Sequence, residues 1–371
     1  MKAGWQSKTL GEVIQLPYGK PLDPKDRNPN GLYPAYGANG EKDRTDKFYR
    51  DSPSIIVGRK GSAGEITLTE DRFWPLDVTY FVEFDSGQYN LQFLYYLLVT
   101  LELPSMAKGV KPGINRNEVY ELPVMVPPLP EQQRIVTLLD EAFDGIATAK
   151  ANAEKNLQNA RAIFESHLQS VFTQRGDGWQ VKRISEIAKH SLGKMLDKAK
   201  NKGIFQPYLR NLNVRWFEFD LSDVLQMPFQ PEEFAKYTAT KGDVLICEGG
   251  YPGRAAIWNS EEPIYFQKAL HRVRFHESEH NKWFLYYLYD QDKSGALKQH
   301  FNGAGIQHFT GEALAKFELP FPSLPELRKS VAKFEELSEQ SRSLEAIYQQ
   351  KLAALDELKK SLLHRAFNGD L

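Results

Sequence analysis

The groups in this sequence best placed to do chemistry are cations set among glycines. Gly58-Arg59-Lys60-Gly61-Ser62-Ala63-Gly64 follows directly on a β-type run, Ser54-Ile55-Ile56-Val57. Glycines let a backbone approach a partner closely and adopt positive φ. The free N–H groups of such a loop, with Arg59, Lys60 and the Ser62 hydroxyl, suit a phosphate. Arg59 could instead fork onto a guanine edge in a major groove. The same loop reads equally as a hairpin turn with solvated charges. The corresponding stretch further on is Cys247-Glu248-Gly249-Gly250-Tyr251-Pro252-Gly253-Arg254, where the glycines persist, Arg254 is the remaining cation and an acid appears.

Other polar and aromatic residues of turn-rich segments extend the candidate set. The earlier half offers Tyr18, Lys20, Tyr36, Asn39, Lys108, Lys111, Asn115 and Arg116. The later half offers Lys194, Arg210, Asn211, Asn213, Arg215, Lys268, Gln307 and His308. Ala107 to Arg116 is the densest basic loop.

Catalytic signatures are missing. Gly19-Lys20 and Gly193-Lys194 lack the earlier glycine and the hydroxyl of a phosphate loop. No Gly-x-Gly-x-x-Gly, no Gly-x-Ser-x-Gly elbow and no Asn/Asp-Pro-Pro-Tyr/Phe segment occurs. The 8 histidines are scattered and complete no metal set. Asp243 and Glu248 flank a β-type run, but no lysine completes a nuclease triad, and both read as surface carboxylates. A binding protein is expected, not an enzyme.

Composition narrows the class. The 371 residues allow two or three domains, and 41% hydrophobic content supports true cores. The net charge of −1 is unusual for a free-standing nucleic-acid binder. Either the cations are clustered or basic partners help. A single cysteine, Cys247, precludes an internal disulfide and fits a reducing cytoplasm. No apolar run approaches the roughly 20 residues of a membrane span, and the N-terminus has no apolar signal core.

The elements that must position these residues come in duplicate. Trp5-Gln6 recurs as Trp179-Gln180, and Phe93-Leu94-Tyr95-Tyr96-Leu97 recurs letter for letter as Phe284-Leu285-Tyr286-Tyr287-Leu288. Leu122-Pro123 and Pro128-Leu129-Pro130-Glu131 return as Leu319-Pro320 and Ser323-Leu324-Pro325-Glu326. Each copy reads as a mixed α+β region with a helix around the Phe-Leu-Tyr-Tyr-Leu segment. A proline-rich stretch follows, which is expected to be non-helical and extended. A long helix comes next, over about 131–172 and 326–367. Its apolar stripe is Ile135, Leu139, Ala142, Ile146, Ala149, Ala153, Leu157, Ala160, Phe164 and Leu168 in the first copy. In the second it is Val331, Phe334, Ser338, Ser341, Leu344, Tyr348, Leu352, Leu355 and Leu362. The alternating three–four spacing is that of a coiled coil, each helix about 60 Å long at 1.5 Å per residue. The two helices are expected to pair antiparallel, with separate bundles as the alternative.

The run Pro127-Pro128-Leu129-Pro130-Glu131-Gln132-Gln133-Arg134-Ile135-Val136, continued by Leu139-Asp140-Glu141-Ala142-Phe143, closely resembles the first conserved region of type I restriction–modification specificity subunits. The C-terminal run from Leu358 to Leu371 resembles the end of their second. Pro325-Glu326-Leu327-Arg328 departs from the family's Glu-Gln pattern. The resemblance spans the chain. It implies an α+β protein with two globular target-recognition domains in an inverted tandem repeat, separated by a long antiparallel two-helix coiled coil. The expected boundaries are 1–128 and 174–322 for the recognition domains, and 129–173 and 323–371 for the helical spacers. It further implies sequence-specific binding of double-stranded DNA at a bipartite site, the helices acting as a ruler for the spacer. Two methyltransferase subunits and two restriction (motor-nuclease) subunits are the implied partners. S-adenosylmethionine, ATP and Mg2+ are used by those subunits, and this chain binds no cofactor. A cytoplasmic location and no membrane contact go with that reading. The competing readings are a coiled-coil scaffold that reads no DNA and a self-contained methyltransferase.

Overall fold

The computed structural model describes residues 4–69, 72–197 and 201–371. The chain divides into two compact units, Met1–Glu154 with Gln350–Leu371, and Lys155–Gln349. Each contains its own strands and short helices together with part of each long helix.

In the first unit, Gln6–Thr9 pairs antiparallel with Pro123–Val126, closing the globular part at the base of the long helix. An antiparallel sheet has the order Ile66–Leu68, Ile55–Gly58, Thr79–Phe81. Its central residues Ile55, Ile56 and Val57 have no exposed surface. Burial on both faces is why this strand reads as a continuous apolar run. A second sheet joins Gly40–Thr45, Tyr33–Gly37 and Trp74–Pro75. The helix Leu91–Thr100 starts where the Asn90 side chain accepts from Phe93 N at 2.9 Å, satisfying a free N–H of its first turn. It buries Phe93, Leu94 and Leu97 against Ile135, Leu139, Leu363, Ala366 and Phe367. The ends of both long helices thus complete this core.

The second unit repeats the plan with longer strands. One antiparallel sheet runs Ala188–Leu192, Leu270–Phe275, Val244–Cys247, Ala255–Ile257. Another runs Leu225–Phe229, Ile204–Leu209, Ile264–Phe266, Thr238–Ala239. Gln180–Arg183 pairs with Glu318–Phe321. The helix His280–Lys293 buries Trp283, whose indole N–H donates to Pro320 O at 2.7 Å. Asp243 is 1% exposed and takes a two-pronged contact from Arg274, at 2.7 and 2.6 Å. It is therefore a buried structural acid, not the surface carboxylate its sequence position suggested.

The duplication extends to individual backbone bonds. Leu10 N donates to Leu122 O at 2.9 Å, and Ile184 N to Phe317 O at 3.1 Å. Gly19 N donates to Thr79 O at 3.0 Å, and Gly193 N to Leu270 O at 3.0 Å.

The long helices are Leu129–Thr173 and Leu324–Asn368, each of 45 residues. The proline-rich stretches are not plain extended hinges. Pro123 and Pro320 lie in paired strands, and Pro130 and Pro325 lie in the first helical turn. Proline is tolerated there because the first turn's N–H groups have no intrahelical acceptor. In the first unit the helix segments run antiparallel: Arg134 meets the Leu371 carbonyl at 2.9 Å and Lys150 meets Asp356 at 2.7 Å. The second unit's segments are antiparallel as well, with Phe172 at 5.7 Å from Phe334 and Arg161 at 2.8 Å from Glu345. In the expected stripe, Leu344 is 37% exposed, and Leu363 rather than Leu362 is buried at the C-terminal end.

Candidate nucleic-acid interface

Arg59 to Gly64 is the hairpin loop between the antiparallel strands Ile55–Gly58 and Ile66–Leu68. It is a structured hairpin, closed by Gly64 N donating to Gly58 O at 2.7 Å and Gly58 N to Glu65 O at 2.8 Å. Its outer side is stitched to the basic loop: Gly61 N donates to Pro112 O at 2.9 Å and Ile114 N to Arg59 O at 3.1 Å. The tip of the Tyr33–Thr45 hairpin, which carries Asn39, approaches it at Gly58. A Cβ there would lie 2.6 Å from Ala38 O and 2.1 Å from Ser62 O, so only glycine fits.

Three segments far apart in sequence thereby form one surface in the first unit. Tyr18, 49% exposed, lies between two guanidinium groups, 5.3 Å from Arg59 and 4.6 Å from Arg116, and its ring meets Tyr80 at 5.2 Å. Such cation–π contacts hold an aromatic face and two positive charges in fixed register. Arg59 is anchored further by Nε and Nη2 donating to Asp77 O at 3.1 and 2.6 Å. Arg116 Nη1 donates to Leu16 O at 3.1 Å. Lys60 and Lys111 are exposed and have no ion-pair partner among the described residues. Lys108 meets Glu118 at 2.7 Å in an exposed pair of little strength. Asn115 caps the helix Arg116–Tyr120, its side chain accepting from Asn117 N at 3.0 Å. Lys20 is exposed beside the Tyr49 ring at 4.7 Å, and Ser62 is half-buried. Tyr36 does not join the surface: it is 6% exposed and packs on Phe73.

The second unit builds the same hairpin with other side chains. Cys247 N donates to Arg254 O at 2.8 Å and Gly253 N to Cys247 O at 2.9 Å. Two loops flank it. Asn211 Nδ2 donates to Gly249 O at 3.2 Å, and a Cβ on Gly249 would lie 3.1 Å from His308 Nδ1. Gln307 is exposed beside His308, as is Lys268 next to the strand leading away. Arg215 is half-buried, with Nη1 donating to Leu212 O at 2.5 Å and Nη2 near Asp220 at 3.3 Å.

Several second-unit candidates are spent inside the fold. Asn213 is 2% exposed, accepts from Arg210 N and donates to Asp220 O and Asp223 O, each at 2.9 Å. Arg210 pairs with Asp223. Lys194 is 6% exposed and bonds Pro228 O and Glu233. Burial works against the Glu233 charge, but hydrogen bonds from Gln230 N and Lys194 hold its carboxyl below the ordinary value. Arg254 occupies the place of Glu65, at the base of the hairpin, and its Nη2 donates to Asn211 O at 3.0 Å. The neighbouring Cys247 thiol is pushed up to about 11 by burial, which keeps it unreactive.

Sequence reasoning noted the acid of the second hairpin but read Glu248 as a surface carboxylate. Arg59 N donates to Val78 O at 2.9 Å and Glu248 N to Ala269 O at 2.9 Å. Arg59 O accepts from Ile114 N, and Glu248 O from Phe309 N at 2.8 Å. The two residues hold one backbone position. Aligning the two copies on the residue after the apolar strand would have exposed the exchange.

Among the described residues no group of three or more His, Cys, Asp or Glu could hold a metal ion, and no helix is long and apolar enough to cross a membrane.

Residues 2–158 and 176–352 each match the type I restriction modification DNA specificity domain. A putative type I restriction enzyme specificity subunit of Haemophilus influenzae is 23% identical, over 83% of this chain and 82% of its own. The EcoDI specificity subunit of Escherichia coli is 23% identical over 99% of this chain and 88% of its own. Two solved structures share the fold at 20% identity. One is a chain from work on complex assembly and conformational transition of a type I R-M system, with a TM-score of 0.79, covering 100% of this chain and 99% of that one. The other is the HsdS subunit of Thermoanaerobacter tengcongensis, with a TM-score of 0.63, covering 100% and 98%.

Proposed function

This chain belongs to the type I restriction modification DNA specificity family, and from that premise we propose that it is the DNA-reading subunit of a restriction–modification complex. Each unit reads one part of a two-part DNA sequence, with unread bases between the parts. The observation that carries this reading is the reuse of one hairpin framework with different polar side chains in the two units, the arrangement two different half-sites require. The chain itself catalyses nothing. Two methyltransferase subunits, carrying S-adenosylmethionine, modify adenine, and two motor-nuclease subunits, using ATP and Mg2+, cut unmodified DNA. A cytoplasmic location follows from that partnership. The near-neutral charge of −1 fits a reader whose partners supply part of the phosphate clamp.

The test is a map of methylated adenines in DNA from cells carrying the chain with its methyltransferase partner. The map should show a split motif. Replacing residues 179–320 by the matching segment of a relative should change one part and leave the other intact. A continuous motif, or a swap that alters both parts, rejects the two-reader function.

A further inference from the structure

We propose that Glu248 determines specificity in the second half-site, its carboxylate accepting a hydrogen bond from the exocyclic amino group of a cytosine or adenine in the major groove. At the same framework position of the first unit, Arg59 donates to a guanine. This rests on the two-part reading above and deepens it.

The backbone fixes where each of these side chains starts. Both residues directly follow an inner strand of their sheet, and both are pinned by hydrogen bonds at their backbone N–H and carbonyl. A side chain leaving so rigid a position has a defined direction, which readout of a base edge requires. The chemistry then divides. A guanidinium only donates and a carboxylate only accepts. In the major groove, guanine offers the acceptors O6 and N7, whereas cytosine N4 and adenine N6 are donors.

Two further observations set Glu248 apart from an ordinary acid. Its carboxylate has no hydrogen-bond or ion-pair partner among the described residues, although it is half-buried. Four other acids of the second unit are paired within the fold: Glu233 with Lys194, Asp243 with Arg274, Asp223 with Arg210 and Asp220 with Arg215. The cation of the same hairpin, Arg254, is turned onto the Asn211 carbonyl. An unneutralised carboxylate against DNA is repelled by phosphates. It is compatible with binding where it meets an amino group on a base.

The experiment uses the full chain in complex with its methyltransferase partner. Competition binding is measured on duplexes carrying the mapped site and every single substitution in both half-sites. For Glu248→Leu, which removes the acceptor at similar volume, discrimination at one base pair of the second half-site should fall about tenfold to a hundredfold. The other positions of the second half-site, and the whole first half-site, should be read as before, which shows that the variant is folded. Whether the affected base is cytosine or adenine identifies the amino donor. Arg59→Gln should mirror this at one guanine of the first half-site. Equal strengthening on all duplexes would mean that Glu248 only repels phosphate, and unchanged discrimination at every position would likewise overturn the assignment. Loss of reading in both half-sites, repeated with Glu248→Ala, also counts against it. A wild-type map without a split motif rejects the function itself, independently of either variant.

Discussion

The Ser341 hydroxyl donates to the Ala160 carbonyl at 2.7 Å, across the antiparallel helix segments of the second unit. Both residues are buried, and both are small. Small side chains let the two backbones approach, and the serine satisfies its own polar group at that approach. A buried hydroxyl without a partner would cost about 1–3 kcal/mol.

This contact gives a graded stability prediction. Ser341→Ala removes the hydroxyl but leaves a carbonyl still bonded within its helix, so the loss should be about 1 kcal/mol. Ala160→Leu forces extra volume into the closest approach and should cost about 1–3 kcal/mol or more. Urea denaturation of the second unit's fluorescence checks the order. Equal effects from the two substitutions would contradict the close-packed geometry.

Phe367 tests whether the C-terminal helix belongs to the first unit's core. Its ring lies 5.1 Å from Phe93. Phe367→Ala should destabilise that unit by about 3–5 kcal/mol. Hydrogen exchange should speed up in Leu91–Thr100, while His280–Lys293 in the second unit keeps its protection.

A pH dependence should arise at His271. Burial holds its imidazole down to about 4, outweighing the hydrogen bond to the Phe309 carbonyl, with nearby His190 adding to the lowering. Nε2 lies 3.0 Å from Phe309 O, and Nδ1 is buried without a partner, so charging the ring would bury an unpaired N–H. The folded-state value lies below the unfolded one of about 6.5. Stability fully present above pH 6.5 is therefore lost as pH falls toward 4, where the folded form also takes up its proton. Denaturation curves across that window should be flatter for His271→Gln. An unchanged slope would place the titrating group elsewhere.

Arg59 and Lys60 should differ in what they contribute to DNA binding. Lys60→Ala should weaken all duplexes alike and reduce the salt slope by about one, the signature of a phosphate contact. Arg59→Ala should weaken discrimination at one base pair. Salt titrations of the complex on matched and mismatched duplexes separate the two. Identical behaviour of the two variants would show that both contact backbone only.

The duplication, the Phe-Leu-Tyr-Tyr-Leu helices, the strands around Ile55 and Val244, and the two long helices were legible in the sequence, whereas the antiparallel run of the helix segments stood there beside an alternative. Those features rest on local periodicity and on repeated landmarks, which a chain carries in one dimension. It also marked the glycine hairpins as places of close approach, because the chemistry of glycine is local. Tertiary structure alone decided which polar residues of those loops remain available. Lys20 and Lys194 hold the same framework position, their N–H groups bonding Pro75 O and Phe266 O, yet Lys20 is exposed and Lys194 is 6% exposed beside Glu233. Nothing near Lys194 in sequence announces a carboxylate 39 positions away. Asn213 and Asp243 are likewise consumed by partners brought in by folding. Exposure and hydrogen-bond satisfaction are properties of packed three-dimensional neighbours, so the framework was legible from spacing while the working surface was not.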